Sequence, residues 1–188
     1  GVIYAPKADK SLRSEWGRPF LLKERERLAE MARTASQSRL TFGVGLSPMN
    51  VWTDWSAEAR DRLAAKLRDI YACGCETLSL QFDDMHGGGP SLAIMQAEII
   101  SFACEAWAGS HVIVCPTYYS DDPILATVFG DPPAYYLENL AEALPTHVDI
   151  FWTGPKVVST AIEEDHILEV TARMGRRPFL WDNYPVND

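Results

Sequence analysis

A chain of 188 residues, 47% of them hydrophobic, with only 12 glycines and 12 prolines, has the apolar content for one domain with a sizeable core. Its formal charge of −9 leaves no basic stripe to follow a phosphate backbone, which argues against nucleic acid and for a neutral or cationic partner. No stretch reaches the roughly 20 apolar residues of a membrane span, and the first residues lack the basic start and apolar run of a signal peptide, so no membrane partner is expected and the compartment stays unread.

Short apolar runs rich in β-branched residues alternate with amphipathic stretches, the pattern of parallel strands joined by crossover helices. In chain order the expected strands are Val2 to Ala5, Leu40 to Leu46, Thr77 to Phe82, His111 to Pro116, Val148 to Trp152 and Pro178 to Trp181. Most are apolar enough to be buried on both faces. Pro19 suits the first turn of the helix that carries Leu28 and Met31. Ser56 is the expected N-cap of a helix that places Leu63, Leu67 and Ile70 on one face and stops at Gly74, and Ser91 serves the stretch ending at Gly109. Glu138 to Leu144 and Asp165 to Met174 supply two more helices. The four cysteines, Cys73, Cys75, Cys104 and Cys115, have no CxxC spacing and read as buried thiols.

Doubly wound sheets and barrels share this alternation, but the strand ends separate them. Lys7, then Ser47 and Pro48, Asp83 and Asp84, Thr117 to Tyr119, Trp152 and Thr153, and Asp182 and Asn183 follow successive strands. Six such ends meet most easily at the C-terminal face of a closed barrel. The expected fold class is therefore α/β, of the (β/α)8 TIM-barrel type. A full barrel takes roughly 250 residues, so about six βα units are expected here. The whole chain, 1–188, then reads as a single catalytic domain, a fragment of a longer one.

Asp83 and Asp84 stand where an apolar strand runs out. Adjacent strand residues point to opposite faces, so both acids serve one site only if the strand ends or bends there, and Gly87-Gly88-Gly89 makes such a break easy. Two carboxylates so placed can divide acid and base duties, as glycoside cleavage requires. An Asp pair that merely caps a helix is the ordinary alternative. A divalent-metal site built from Asp83, Asp84 and His86 is a lower one. His111, His147 and His166 read as surface or capping residues. The rings of Tyr118, Tyr119, Trp152 and Trp181 are either core aromatics or a platform for a sugar face.

Tyr4-Ala5-Pro6-Lys7, Phe82-Asp83-Asp84, Cys115-Pro116-Thr117-Tyr118-Tyr119, Trp152-Thr153-Gly154 and Trp181-Asp182-Asn183-Tyr184-Pro185-Val186-Asn187-Asp188 occur in that order. Together they resemble glycoside hydrolase family eighty-four, the O-GlcNAcases and bacterial β-N-acetylglucosaminidases. The resemblance implies a retaining exo-β-N-acetylglucosaminidase whose substrate supplies its own nucleophile, the acetamido oxygen, through an oxazoline. It implies Asp83 as the group that orients the acetamido N–H and Asp84 as general acid and base. It places Tyr119 near the acetamido oxygen. Cys115, Thr153, Val157 and Trp181 then shape the pocket for the N-acetyl methyl, and Lys7, Asn183 and Asp188 hold sugar hydroxyls; Trp152 is a further substrate-binding candidate, as a ring of the strand-end platform. It implies no cofactor or resident metal, and a glycoprotein or glycan bearing GlcNAc as the partner. Ala8 after Lys7, Leu12 before Arg13 and Met49 after Pro48 depart from the family pattern, at positions that bear on loop shape and aglycone preference. The family's opening strand is expected before Gly1 and its last barrel unit beyond Asp188. An unclosed barrel has two unpaired edges, so self-association or a partner segment that completes it is expected. The alternative is an inactive GlcNAc-binding barrel fragment.

Overall fold

The computed structural model describes residues 1–86 and 89–183. Its strands are β1 (Val2–Tyr4), β2 (Phe42–Leu46), β3 (Thr77–Gln81), β4 (His111–Cys115), β5 (Asp149–Trp152) and β6 (Phe179–Leu180), each within two residues of its expected ends. The helices are α1 (Leu22–Gln37), α2 (Ala57–Ala72), α3 (Leu92–Ala106), α4 (Ile124–Phe129), α5 (Tyr136–Ala143) and α6 (Glu164–Met174). The strands are ordered β1-β2-β3-β4-β5-β6, and the pairs β1/β2, β2/β3 and β5/β6 run parallel. Strands laid side by side in chain order are the connectivity of a (β/α) barrel, whereas a doubly wound sheet reverses its order at a switch point. The fold is α/β of the barrel type, with six strands among the described residues. Among the described residues no helix is long and apolar enough to cross a membrane.

The chain divides into two compact units, Gly1–Gln81 with Ile99–Ile113, and Phe82–Glu98 with Val114–Asp188. In the first, β2 is buried at every position, as an apolar strand covered on both faces must be. Val44 and Leu46, their β3 counterparts Leu78 and Leu80, and Leu63, Leu67 and Ile70 of α2 are all fully buried. Truncating one such leucine to alanine costs about 2–5 kcal/mol. The other face of β2 is built from glycine. A Cβ on Gly45 would lie 2.5 Å from that of Ala5 and 3.1 Å from the Gln81 side chain, so the absence of a side chain lets the neighbouring strands fill that space.

Helix starts follow local hydrogen bonding. Ser56 caps α2 by accepting from the Ala59 N–H at 3.3 Å, as expected. Gly74, at φ +88°, turns the chain out of α2 in the left-handed region that favours glycine. One expectation is corrected. Pro19 lies ahead of α1 rather than in its first turn, because the Leu21 N–H donates to the Glu24 carboxylate (2.7 Å) and so fixes the start at Leu22. Hydrogen bonds from the Arg18 guanidinium steady that carboxylate and hold its pKa down at about 2. Ser91, the last residue of a short 3₁₀ turn (Gly89–Ser91), directly precedes Leu92, the position of an N-cap for α3.

In the second unit, α5 buries Leu137, Leu140 and Ala141 and packs on α6, which buries Val170 and Met174. Arg176 donates to the carbonyls of Ala141, Leu144, Pro145 and Val148, satisfying the backbone where α5 ends and the chain turns toward β5. The short helix α4 was not anticipated from the sequence.

Candidate active site

β3 ends at Gln81, and Asp83 and Asp84 follow in a turn rather than in the strand, so the alternation that would separate them no longer applies. Gly87 and Gly88 of the glycine run lie outside the described residues. Phe82 is fully buried and its N–H donates to the Cys115 carbonyl at 2.8 Å, which sets Phe82 beside the last residue of β4 within the second unit. Asp83 is only 6% exposed, and Asp84 is half-buried beside it.

What fixes this turn is a chain of neutral hydrogen bonds that sequence reasoning missed. The Thr117 hydroxyl donates to the Phe82 carbonyl at 3.0 Å and accepts from Gln96 Nε2 at 2.8 Å. The Thr117 N–H donates to the Tyr136 hydroxyl at 3.1 Å, and that hydroxyl donates to Gln96 Oε1. Gln96 and Thr117 are fully buried and Tyr136 nearly so. Burial raises the Tyr136 pKa far above the usual phenol value, so its O–H stays a donor. The three side chains come from α3, the loop after β4 and α5, and together they hold the peptide just ahead of Asp83. Their only sequence signal is a glutamine in a largely apolar helix.

Tyr119 stands at the centre of the predicted residues. Its pKa is raised, first by burial and then by the negative charge of Cys115, Asp83, Asp84 and Asp122, so both candidate carboxylates lie within electrostatic reach of the phenol. The Tyr119 carbonyl accepts from the Thr153 N–H at 3.0 Å, and its ring lies 6.2 Å from that of Trp181. Trp181 also meets Phe151 at 5.2 Å. Thr153 and Cys115 are buried, and Thr153 Oγ1 donates to the Lys156 carbonyl at 2.8 Å. Val157 is held by its backbone: its N–H donates to Asp122 Oδ2 at 3.2 Å, and its carbonyl accepts from Asn183 Nδ2 at 3.1 Å. The second unit thus carries Asp83, Asp84, Cys115, Tyr119, Thr153, Val157, Trp181 and Asn183 in one connected set.

The other candidates stand differently. Trp152 is buried with its ring on the α6 side of β5. Its Nε1–H donates to His166 Nε2 at 3.0 Å, the two rings stack, and the indole lines a cavity of about 400 Å³ with Tyr118, Tyr135 and Arg173. Only its carbonyl joins the set above, accepting from the Trp181 N–H at 2.9 Å. His166, read from the sequence as an ordinary surface or capping residue, is instead the partner of that indole. Lys7 belongs to the first unit, exposed just after β1. Asp188 lies outside the described residues. The His86 ring meets the edge of Phe129 at 6.3 Å, and among the described residues no three His, Cys, Asp or Glu side chains form a group that could hold a metal ion.

Asp122 is the further residue that sequence reasoning passed over. Burial pushes its pKa up, but the N–H groups of Ile124 and Val157 and the Lys156 ammonium outweigh that and hold it below the usual carboxylate value. Its signal was the Ser120-Asp121-Asp122-Pro123 run, which reads as a turn.

Comparison with known proteins gives the family. The family model described as beta-N-acetylglucosaminidase matches residues 2–188. Protein O-GlcNAcase of Rattus norvegicus and that of Mus musculus are each 28% identical over 198 residues, covering 99% of this chain and 21% of theirs. A solved structure of a mutant Thermobaculum terrenum O-GlcNAc hydrolase superposes with a TM-score of 0.83 at 30% identity, over 99% of this chain and 41% of that one. The chain thus spans about a fifth of the length of the curated relatives it matches. With the model matched over nearly every residue and the strand order of the barrel in place, the chain belongs to the beta-N-acetylglucosaminidase family.

Proposed function

We propose that the protein is a retaining exo-β-N-acetylglucosaminidase that removes terminal β-linked GlcNAc, from Ser or Thr of glycoproteins or from glycans, with residues 1–188 belonging to one catalytic barrel domain. The observation that carries this reading is the gathering of Asp83, Asp84 and Cys115 around the protonated Tyr119 phenol, at the ends of consecutive strands. Family membership and the names of the rat, mouse and bacterial relatives support the substrate class.

On this reading the acetamido oxygen of the bound sugar attacks its own anomeric carbon. Asp83, ionised, accepts the amide N–H and favours the negative charge that the attacking oxygen needs, while Asp84 gives its proton to the departing glycosidic oxygen. The products of this step are the free aglycone and an oxazoline. Asp84, now a carboxylate, takes a proton from water as that water opens the oxazoline at the anomeric carbon, and Asp83 returns the amide proton. Two inversions leave the configuration retained. Tyr119 offers its O–H near the acetamido oxygen. Thr153, Val157, Cys115 and Trp181 enclose the acetyl methyl, and Lys7, Asn183 and Asp188 serve the hydroxyls.

The test is release of methylumbelliferone from its β-N-acetylglucosaminide, with and without a thiazoline mimic of the oxazoline and with and without chelator. Chelator-resistant turnover blocked by the thiazoline is the expected result. Thiazoline binding without turnover would favour a GlcNAc-binding protein, and loss of activity in chelator would favour metal-assisted hydrolysis.

A further inference from the structure

The segment from Thr153 to Ser159 contains neither helix nor strand, so side-chain hydrogen bonds set its position. Thr153 Oγ1 and Ser159 Oγ both donate to the Lys156 carbonyl, and the Lys156 N–H donates to Ser159 Oγ. Those bonds are local and shape the loop without placing it. Placement comes from Val157, whose two backbone polar groups are held by side chains of the loops on either side, Asp122 after β4 and Asn183 after β6. Asp122 divides its oxygens. Oδ1 accepts from the Ile124 N–H at 3.1 Å, as a turn ahead of α4 requires, and Oδ2 reaches 35 residues along the chain to Val157. A residue that only started α4 would leave the second oxygen to water. The Asp122 side chain is 16% exposed, and the Lys156 ammonium stands 3.6 Å from Oδ1.

We propose that Asp122 is a specificity-determining positioning residue. By gripping the Val157 N–H it fixes the wall against which the acyl group of a 2-acylamino sugar packs, and so sets the longest acyl chain admitted. The inference rests on the reading of Val157 as part of the acetyl pocket. A side chain's direction follows from its backbone, so releasing one of the two anchors lets the valine wall yield. A rigid hydrophobic wall discriminates against a misfitting methylene by about 10- to 200-fold.

The experiment compares, in the full-length protein, the dissociation constants of the glucosamine thiazolines that carry a methyl or a propyl group. The unmodified protein, Asp122→Ala and Asp122→Asn are measured side by side, with melting temperatures recorded for each. The methyl-over-propyl preference is expected to fall about tenfold or more in Asp122→Ala. Asp122→Asn, with one oxygen for two donors, is expected to fall between. A purely structural role would lower the melting temperature and weaken both ligands equally, and a preference unmoved in both variants would overturn the proposal. Turnover of the methylumbelliferyl substrate by the unmodified protein separates the readings. With turnover present and the preference unmoved, the Asp122 role alone fails; with neither turnover nor thiazoline binding, the enzyme reading fails and takes this inference with it.

Discussion

The carboxylate end of the site, at Phe82 to Asp84, is held by neutral groups shut away from water: Gln96, Thr117 and Tyr136 each use the other's donors and acceptors. The end around Val157 is held instead by Asp122, a carboxylate with an exposed Lys156 beside it. A closed neutral network resists changes of pH and salt, since every member is already satisfied and none ionises near neutrality. A charged clamp near the surface is screened by ions and yields more readily. On the proposed function, the contrast places rigidity where bond breaking needs it and leaves the pocket wall open to adjustment by a single substitution.

The largest expected effects come from the carboxylates themselves. Asp83→Asn should reduce kcat by about 10²- to 10⁴-fold on poor and activated leaving groups alike, the usual worth of a positioned acid or base. Asp84→Asn should lose as much on an alkyl glycoside but far less on a dinitrophenyl glycoside that departs unaided. Equal losses on both substrates would refute the acid assignment.

Gln96→Leu breaks the neutral network and leaves the Tyr136 and Thr117 hydroxyls short of partners. It should cost about 1–3 kcal/mol in urea unfolding and lower kcat with little change in the methyl-over-propyl preference. A variant that shifts the preference while leaving kcat intact would reverse the roles of the two ends.

Lys66, in the first unit, sharpens the contrast between neutral and charged anchoring. Its side chain is buried, donates to the Ser11 carbonyl at 3.2 Å and lies 3.7 Å over the Phe20 ring. Burial lowers its pKa to about 8 from 10.5. Between those values the unfolded chain binds more protons than the folded one, so this lysine makes stability rise with pH from about 8 to 10.5. Tyr119 and Tyr136 act oppositely above the normal phenol range, because their raised values make the unfolded chain the readier to ionise. The buried thiols Cys73, Cys75 and Cys104, whose pKa values burial raises, pull stability down with rising pH in the same window, so urea midpoints between pH 7.5 and 9.5 should fall more steeply in Lys66→Met than in the native protein; an unchanged slope in the variant would refute the lysine's part.

The smallest effect on catalysis is expected at Trp152. Its indole faces α6, so His166→Leu, which removes the acceptor of the Nε1–H, should lower stability by about 1 kcal/mol and leave KM within about twofold. Trp181→Ala, by contrast, should raise KM clearly. A large KM change in His166→Leu would return Trp152 to the pocket.

These particulars also show what the sequence could carry. The strands were legible because their apolar runs are short and end in polar clusters, and Ser56 and Gly74 announced α2 by their own backbone chemistry. Pro19 misled because an ion-paired Glu24, not a proline, fixes the start of α1. α4 is six residues long and follows Pro123, too short for a periodic signal. Motif order singled out Asp83, Asp84 and Tyr119 as candidates, yet it gave no sign of which face of β5 the Trp152 ring takes. Gln96, Thr117 and Tyr136 were illegible for a different reason: they lie on three separate elements, and only the fold makes them neighbours. Asp122 was passed over, since the bond that matters reaches a residue 35 positions away.

The most direct test of the account is the anomeric configuration of the first product, followed by proton NMR as the protein hydrolyses an aryl β-N-acetylglucosaminide. Substrate-assisted double displacement through Asp83 and Asp84 requires β-GlcNAc to appear first and the α anomer to grow in only by mutarotation. Initial release of the α anomer would mean direct attack by water and would contradict the roles assigned to both carboxylates.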